Sequence, residues 1–122
     1  MDKQATPADP PHRDLAAVFD PKAFAPFLFA GGHPGWLGLA YRDHGEDWTE
    51  LTLPWREELM GDDFRRVIAS GPIFSMLDMG GGMAIWTRES RFVPVATLDM
   101  RVDYQRPAGE RADVIGRCEC YR

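Results

Sequence analysis

The chain has 122 residues, which is the size of one domain. Its hydrophobic content of 44% and charged content of 27% are ordinary for a soluble protein, and no apolar run reaches the roughly 18 residues of a membrane span. The net charge of −5 argues against nucleic acid as a partner, because phosphates need a basic surface. Cys118 and Cys120 suit neither a disulfide framework nor a four-ligand metal site, so a reducing cytoplasm is the expected location.

The N-terminal part of the chain is expected to precede the folded domain. Residues 1–14 are rich in Pro, Asp and Ala and lack the apolar core of a signal peptide, which indicates a flexible leader. Residues 15–122 are expected to form a single domain. Its first predicted element is a helix over residues 15–29, ended by the glycine-rich segment 31–35.

Two strands are predicted next, over residues 36–41 and 48–55, around turn residues at 43–46. The alternation in the second strand places one set of side chains on a common face: Thr49, Leu51, Leu53 and Trp55. The polar stretch 57–67 is predicted to be a loop.

A long helix is predicted from Ser70, its cap, to about Ser90, with Pro72 in the first turn. Gly80–Gly82 would each cost about 1 kcal/mol relative to Ala, so we expect close packing against a sheet or a second copy to offset them. Asp78 is the lone carboxylate in the apolar body of this helix. Burying a carboxylate is costly unless it is hydrogen-bonded or functional, so Asp78 is the first candidate for chemistry.

Two further strands are predicted after this helix. Residues 93–104 alternate between polar and apolar side chains, residues 106–110 turn the chain, and residues 112–121 form another strand. The order is therefore helix, strands, long central helix and two strands.

Four short motifs accompany this order. They are Ala69-Ser70-Gly71, Asp78 nine residues after Ala69, Thr97-Leu98-Asp99, and Tyr104-Gln105-Arg106-Pro107. Over about residues 36–122, they resemble the PaaI-type acyl-CoA thioesterases. That resemblance implies the hotdog fold, an α+β fold in which an antiparallel sheet wraps around one long central helix.

The chain departs from the family pattern at several positions. The family's motif His falls on Ala69, its first Gly falls on Ser70, and the loop Asn of many members falls at or near Asp63. Family members usually continue for roughly two more strands, so the final strands are expected to be absent from residues 15–122. Either the chain is shortened or a partner chain fills the gap.

The resemblance implies hydrolysis of acyl-CoA thioesters that carry short, medium-chain or aryl acyl groups. It assigns the activation of water, or direct attack on the carbonyl to give an anhydride, to Asp78, and the residues leave both routes open. The backbone amides of Ser70 and Gly71 are candidates for polarising the carbonyl, or they only begin the helix. Thr97 matches the family hydroxyl that orients water or the carboxylate; packing in a strand is its alternative role.

Three residues are candidates for substrate binding: Asp63, Phe74 and Arg106. Arg106 is expected either to bind the phosphates of coenzyme A or to be a solvated surface residue. Phe74 is expected either to contact the acyl group or to pack in the core. Asp99 is expected either on the polar face of its strand or in a salt link with a residue such as Arg101 or Arg106. No metal site is expected, and no cofactor is implied beyond the coenzyme A of the substrate.

In this family the site lies at a subunit interface, so a homodimer or homotetramer is expected. The main alternative is a non-catalytic or partner-dependent hotdog subunit that binds acyl groups or serves assembly, which Ala69 and Gly80–Gly82 favour. Hydration or dehydration of enoyl thioesters is a third possibility. It is disfavoured because that chemistry pairs a histidine with an acid and no histidine follows His44.

Overall fold

The fold is described from a computed structural model that covers residues 18–121. The predicted leader and the first three residues of the first predicted helix lie outside these residues. The described helices and strands are α1 (Pro21–Leu28), α2 (Gly32–Leu37), β1 (Ala40–His44), β2 (Trp48–Leu53), α3 (Ser70–Glu89) and β3 (Val114–Glu119). None of the helices within 18–121 combines the length and the apolar character needed to span a bilayer.

The N-terminal segment contains two short helices where one helix and a strand were predicted. Helix α1 begins after Asp20, whose carboxylate accepts a hydrogen bond of 3.0 Å from the Lys22 amide. The first helix ends at Leu28, consistent with the predicted break, but the prediction of a strand from residue 36 was wrong, because Gly32–Leu37 form a second helix. Pro34 is tolerated in the first turn of α2, and Gly38, at φ 73°, ends that helix before β1 starts at Ala40.

The three strands form an antiparallel sheet in the order β1-β2-β3. The predicted face of β2 is confirmed for three residues, because Thr49, Leu51 and Leu53 are each no more than 1% exposed. On the opposite face, the Glu50 carboxylate binds Arg42 of β1 and lies 3.2 Å from a guanidinium nitrogen of Arg117 of β3. This charged ladder connects all three strands.

Helix α3 lies across the buried face of the sheet and ends close to the predicted position, with Ser90 as its C-cap. Its N-cap is Ala69, so the prediction of Ser70 as the cap was wrong; Ser70 is the first helical residue. The cluster of buried apolar side chains between helices and sheet consists of Phe19, Phe24, Leu37, Leu39, Leu51, Leu53, Leu59, Ile68, Met76, Met83 and Trp86. The predicted α+β architecture, an antiparallel sheet against one long helix, is confirmed.

Gly80 marks the closest approach of α3 to the sheet. The Thr49 hydroxyl donates a buried hydrogen bond of 3.0 Å to the Gly80 carbonyl oxygen. A Cβ atom on Gly80 would lie 2.7 Å from the Cys118 sulfur, which is too close for an undisturbed contact. The expected reason for the glycines is therefore confirmed at Gly80, where the missing side chain lets the helix reach the sheet.

The prediction of a strand over residues 93–104 was wrong, because residues 92–113 form no helix or strand. A strand needs a neighbour that accepts and donates backbone hydrogen bonds. Within residues 18–121, β3 pairs with β2 alone and offers its other edge to no strand. The alternating segment therefore runs beside α3 without a ladder, and the strand predicted over 112–121 is shortened to Val114–Glu119.

Candidate active site

The side chains of Asp78 and Thr97 meet on one face of α3. Asp78 lies near the middle of the helix, and the Thr97 hydroxyl donates a hydrogen bond to its carboxylate. Val95 lies beside Gly82, one turn further along the helix, because a Cβ atom built on Gly82 would be in ordinary van der Waals contact with Val95 at 3.5 Å. The segment around Val95 thus runs along α3 and places Thr97 opposite Asp78. Two residues that the sequence singled out separately are brought together by the fold.

A groove with a volume of about 890 Å³ opens beside this pair. It lies between α3, residues 95–100 and the end of β3, and its apolar wall includes Leu77, Met79, Ile85, Val95 and Met100. A groove of this size and lining is typical of sites for small organic ligands.

The charges around the groove are negative. Asp78, Asp99 and Glu119 line it, and no lysine or arginine does so among the described residues. Asp78 is exposed in this single chain, in contrast to the expectation of a carboxylate buried among apolar side chains. The lining suits an uncharged, largely apolar ligand group and offers no cation to a phosphate.

The N-terminus of α3 carries the second part of the predicted site. Ala69, the N-cap, has no side-chain oxygen that could accept hydrogen bonds from the first-turn amides, which include those of Ser70 and Gly71. Gly71 faces open space, since a Cβ atom built there meets nothing within 4 Å. Such amides, together with the positive end of the helix dipole, favour an anionic or partly negative oxygen.

The three predicted substrate-binding residues lie outside the groove lining. Asp63 and Arg106 are exposed in segments without regular structure. Phe74 is half-buried on α3, and its ring centroid lies 6.1 Å from that of Tyr104. The fold therefore does not gather these three residues with Asp78 and Thr97 in the single chain.

The expected salt link of Asp99 with Arg101 or Arg106 was wrong. The Asp99 carboxylate accepts a hydrogen bond of 3.0 Å from the backbone amide of Met100. Arg101 instead lies 3.3 Å from Asp103, because side chains two residues apart project to the same side of an extended chain.

One pair of polar residues near the site was not predicted from the sequence. The imidazole Nε2 of His33, on α2, lies 2.8 Å from the hydroxyl oxygen of Ser75, on α3. The two residues are 42 positions apart, and His33 lies in the glycine-rich segment 31–35, which was expected only to end the first helix. The sequence did contain one indication of Ser75, because it precedes Asp78 by three residues and therefore lies on the same face of the helix.

No group of three or more His, Cys, Asp or Glu side chains within residues 18–121 is arranged to hold a metal ion. The chemistry available on these residues is therefore that of a carboxylate, two hydroxyls, an imidazole and helix N-terminal amides. Together they can accept a proton from water, orient it and stabilise negative charge on an oxygen.

Comparison with known proteins supports this description of the fold. Residues 67–122 match the family described as Thioesterase superfamily. A solved structure of a protein from Pseudomonas aeruginosa is 34% identical to this chain with a TM-score of 0.67, over 79% of this chain and 71% of the other. Comparison with curated proteins gives no significant match.

Two further solved structures are similar. One, described as a protein from the thioesterase superfamily, is 31% identical with a TM-score of 0.62 over 73% of this chain; the match spans 65% of that protein, slightly less than two thirds of its length. A thioesterase from Haemophilus influenzae is 22% identical with a TM-score of 0.65, over 84% of this chain and 70% of the other, which shows a shared fold. These likenesses confirm the predicted hotdog fold.

Proposed function

We propose that this chain, whose residues 67–122 match the thioesterase superfamily, hydrolyses acyl-coenzyme A thioesters in the manner of the PaaI-type enzymes. The observation that carries the proposal is the hydrogen bond from Thr97 to the Asp78 carboxylate beside an apolar groove. It supplies an oriented carboxylate next to a space that suits an acyl group.

In the proposed reaction, one oxygen of the Asp78 carboxylate accepts a proton from a water molecule. The water oxygen attacks the thioester carbonyl carbon, a C–O bond forms and negative charge develops on the carbonyl oxygen. First-turn amides of α3, those of Ser70 and Gly71, stabilise that charge. The C–S bond then breaks, and the thiolate of coenzyme A takes up the proton held by Asp78, which leaves a carboxylic acid, a thiol and an ionised Asp78.

Thr97 has an orienting role in this scheme. Its hydroxyl donates a hydrogen bond to one carboxylate oxygen of Asp78, which leaves the other oxygen free to accept a proton from the water. The same arrangement permits direct attack by the carboxylate on the thioester to give an anhydride, which water then hydrolyses. Both routes need an ionised Asp78.

The lining of the groove supports the proposed substrate class. Its apolar wall and volume of about 890 Å³ suit short, medium-chain or aryl acyl groups. Its carboxylates disfavour the coenzyme A phosphates, which are expected to lie outside the groove, where Arg106 is an exposed candidate partner. No cofactor enters the proposed reaction beyond the coenzyme A of the substrate.

The proposal includes a homodimer or homotetramer, located in the cytoplasm. Large apolar side chains are exposed beside the site, including Leu98 at 100%, Tyr104 at 73% and Met100 at 41%. Such a surface next to a catalytic groove is typical of an interface. A second copy of the chain would cover Asp78 and Thr97 and exclude bulk water from them.

The test is the release of free thiol from a panel of aliphatic and aryl acyl-CoAs, measured for the unmodified chain and for Asp78→Asn. The substitution keeps the shape of the side chain and removes its negative charge, so kcat should fall by about 10²–10⁴. Asp99→Asn is the matched control, because Asp99 also lines the groove but its carboxylate is bound to a neighbouring backbone amide.

Near-normal kcat in Asp78→Asn would refute the assignment of Asp78. Saturable binding of acyl-CoA by the folded protein without hydrolysis would instead select the non-catalytic, acyl-binding alternative. Light scattering after size exclusion tests the oligomer in the same samples.

A further inference from the structure

Helix α3 carries a second hydrogen-bonded pair on the face that bears Asp78. Gly71, Ser75 and Asp78 follow the spacing i, i+4 and i+7, which places them in one row along the helix. Side chains on a helix lean towards its N-terminus, so the Ser75 hydroxyl lies over the turn that contains Gly71. It therefore stands between the candidate oxyanion amides and the candidate catalytic carboxylate.

The side chain that fixes this hydroxyl comes from a different part of the chain. His33 Nε2 lies 2.8 Å from the Ser75 oxygen, across the contact between α2 and α3. Ser75 is half-buried, whereas the row beside it is open at Gly71, where an added Cβ atom would meet nothing within 4 Å. The pair is thus accessible to a ligand that lies along the row.

We propose that the Ser75 hydroxyl is a further hydrogen-bond donor to the thioester carbonyl oxygen, and that His33 is the positioning residue that directs it. This inference rests on the proposed thioesterase function. When the imidazole carries its proton on Nε2, it donates to the Ser75 oxygen, and the Ser75 proton is left to point along the helix face. No proton is transferred in this arrangement; the two side chains form a fixed relay of donors.

The relay gives a physical account of a departure from the family pattern. Ala69 stands where the resembled family carries a histidine and adds no polar group to the N-terminus of α3. His33 reaches the same helix from α2 and supplies an imidazole at Ser75, six residues after Ala69. A preorganised donor aimed at developing negative charge is worth on the order of 10²–10³ in kcat.

The experiment separates contact with the carbonyl from general effects on the site. Two nonhydrolysable acyl-CoA analogues are compared by calorimetry: a ketone analogue with a methylene between sulfur and carbonyl, and a thioether analogue without a carbonyl. Ser75→Ala should weaken binding of the ketone analogue by about tenfold and leave the thioether analogue unchanged. Hydrolysis by Ser75→Ala should show a lower kcat, by about 10²-fold, with little change in KM.

His33 is tested through variants that differ in their ability to donate. His33→Ala should reproduce much of the Ser75→Ala defect, and His33→Gln, which retains an N–H donor, should recover part of it. Combining His33→Ala with Ser75→Ala should add little to the Ser75→Ala defect, because the histidine acts through the serine. The matched control is His44→Ala, since His44 Nδ1 also binds a hydroxyl, that of Tyr41 at 2.7 Å, but both residues lie on β1 and neither is on α3.

The outcomes distinguish this inference from the proposed function. If Asp78→Asn abolishes turnover while Ser75→Ala binds the ketone analogue and turns over as the unmodified chain does, the proposed function stands and the relay is refuted. If the unmodified chain neither hydrolyses acyl-CoAs nor prefers the ketone over the thioether analogue, both are refuted. Ala is a better helix former than Ser, so loss of folding does not explain a defect in Ser75→Ala.

Discussion

The hydroxyl of Thr97 donates a hydrogen bond to the carboxylate of Asp78, 19 residues earlier in the chain. This contact joins a segment without regular structure to the centre of α3. It also holds a solvent-exposed carboxylate in one orientation, which a free side chain on a helix surface would not keep. In the proposed reaction, the contact decides which carboxylate oxygen faces the water.

Thr97→Val tests this role, because valine keeps the shape of threonine and removes the hydroxyl. We expect kcat to fall by about tenfold, since a hydrogen bond to a charged group is worth about 1.5–3 kcal/mol. The midpoint of urea unfolding should change little, because both side chains are exposed. Thr97→Ser, which retains the hydroxyl, should keep most of the activity; an equal loss in both variants would contradict the orienting role.

The glycines of α3 give a matched pair of substitutions. Gly81→Ala should raise the free energy of unfolding by up to about 1 kcal/mol, because the added methyl group meets nothing within 4 Å and alanine favours the helix. Gly80→Ala should lower it by about 1–3 kcal/mol, because its methyl group would lie 2.7 Å from the Cys118 sulfur. The free energy of unfolding of both variants is measured by urea denaturation. An equal change in the two variants would refute the close approach of α3 to the sheet at Gly80.

The buried hydrogen bond from Thr49 to the Gly80 carbonyl oxygen is expected to contribute to stability. Thr49 is 0% exposed, so Thr49→Val removes this bond inside the core without opening a cavity. The free energy of unfolding should fall by about 1 kcal/mol. Thr52→Val, at a half-buried position of the same strand, serves as the control and should change it by less than about 0.5 kcal/mol.

Burial raises the pKa of the Cys118 thiol above its ordinary value of 9.0. The unfolded chain then ionises this thiol at a lower pH than the folded chain does. The contribution of Cys118 to stability is therefore complete below about pH 9 and is lost as the pH rises through the folded-state pKa. Unfolding free energies measured from about pH 8 to about pH 10 should fall less steeply in Cys118→Ala than in the unmodified chain.

Tyr41 contributes to the same pH dependence at higher values. Burial raises the pKa of the Tyr41 phenol above 10.0, and the charges of Asp43 and Asp20 raise it further. Its contribution to stability is complete below about pH 10 and is lost above it. For Cys118, the unfolding free energy should be compared below about pH 10, where Tyr41 does not contribute. If it falls with pH equally steeply in Cys118→Ala and in the unmodified chain, Cys118 has no measurable effect on stability.

Much of the fold could be predicted because its periodic patterns are local. The alternation of β2 indicated which residues are buried, and the apolar run after Pro72 indicated the long helix. The segment 93–104 has an equally regular pattern but forms no strand. A pattern shows which side chains prefer the same face, whereas strand formation also depends on a neighbour that local sequence does not supply.

The site was predictable in part for a similar reason. Asp78 and Thr97 were identified through motifs, which record residues separately, whereas their contact depends on how the segment around Thr97 runs along α3. His33 was missed because its partner, Ser75, is 42 residues away and the glycines around His33 indicated a turn. Tertiary proximity of this kind has no periodic signal in a single sequence.

The contact between Gly80 and the Cys118 sulfur has a consequence for how this chain can change during evolution. The two positions share one small volume, so a larger residue at position 80 is acceptable only when position 118 becomes smaller. A larger residue at position 80 alone would push α3 away from the sheet and carry Asp78 with it. Among descendants of this sequence, the two positions should therefore change together. The substitution of a smaller residue at position 118 should come before the substitution of a larger residue at position 80.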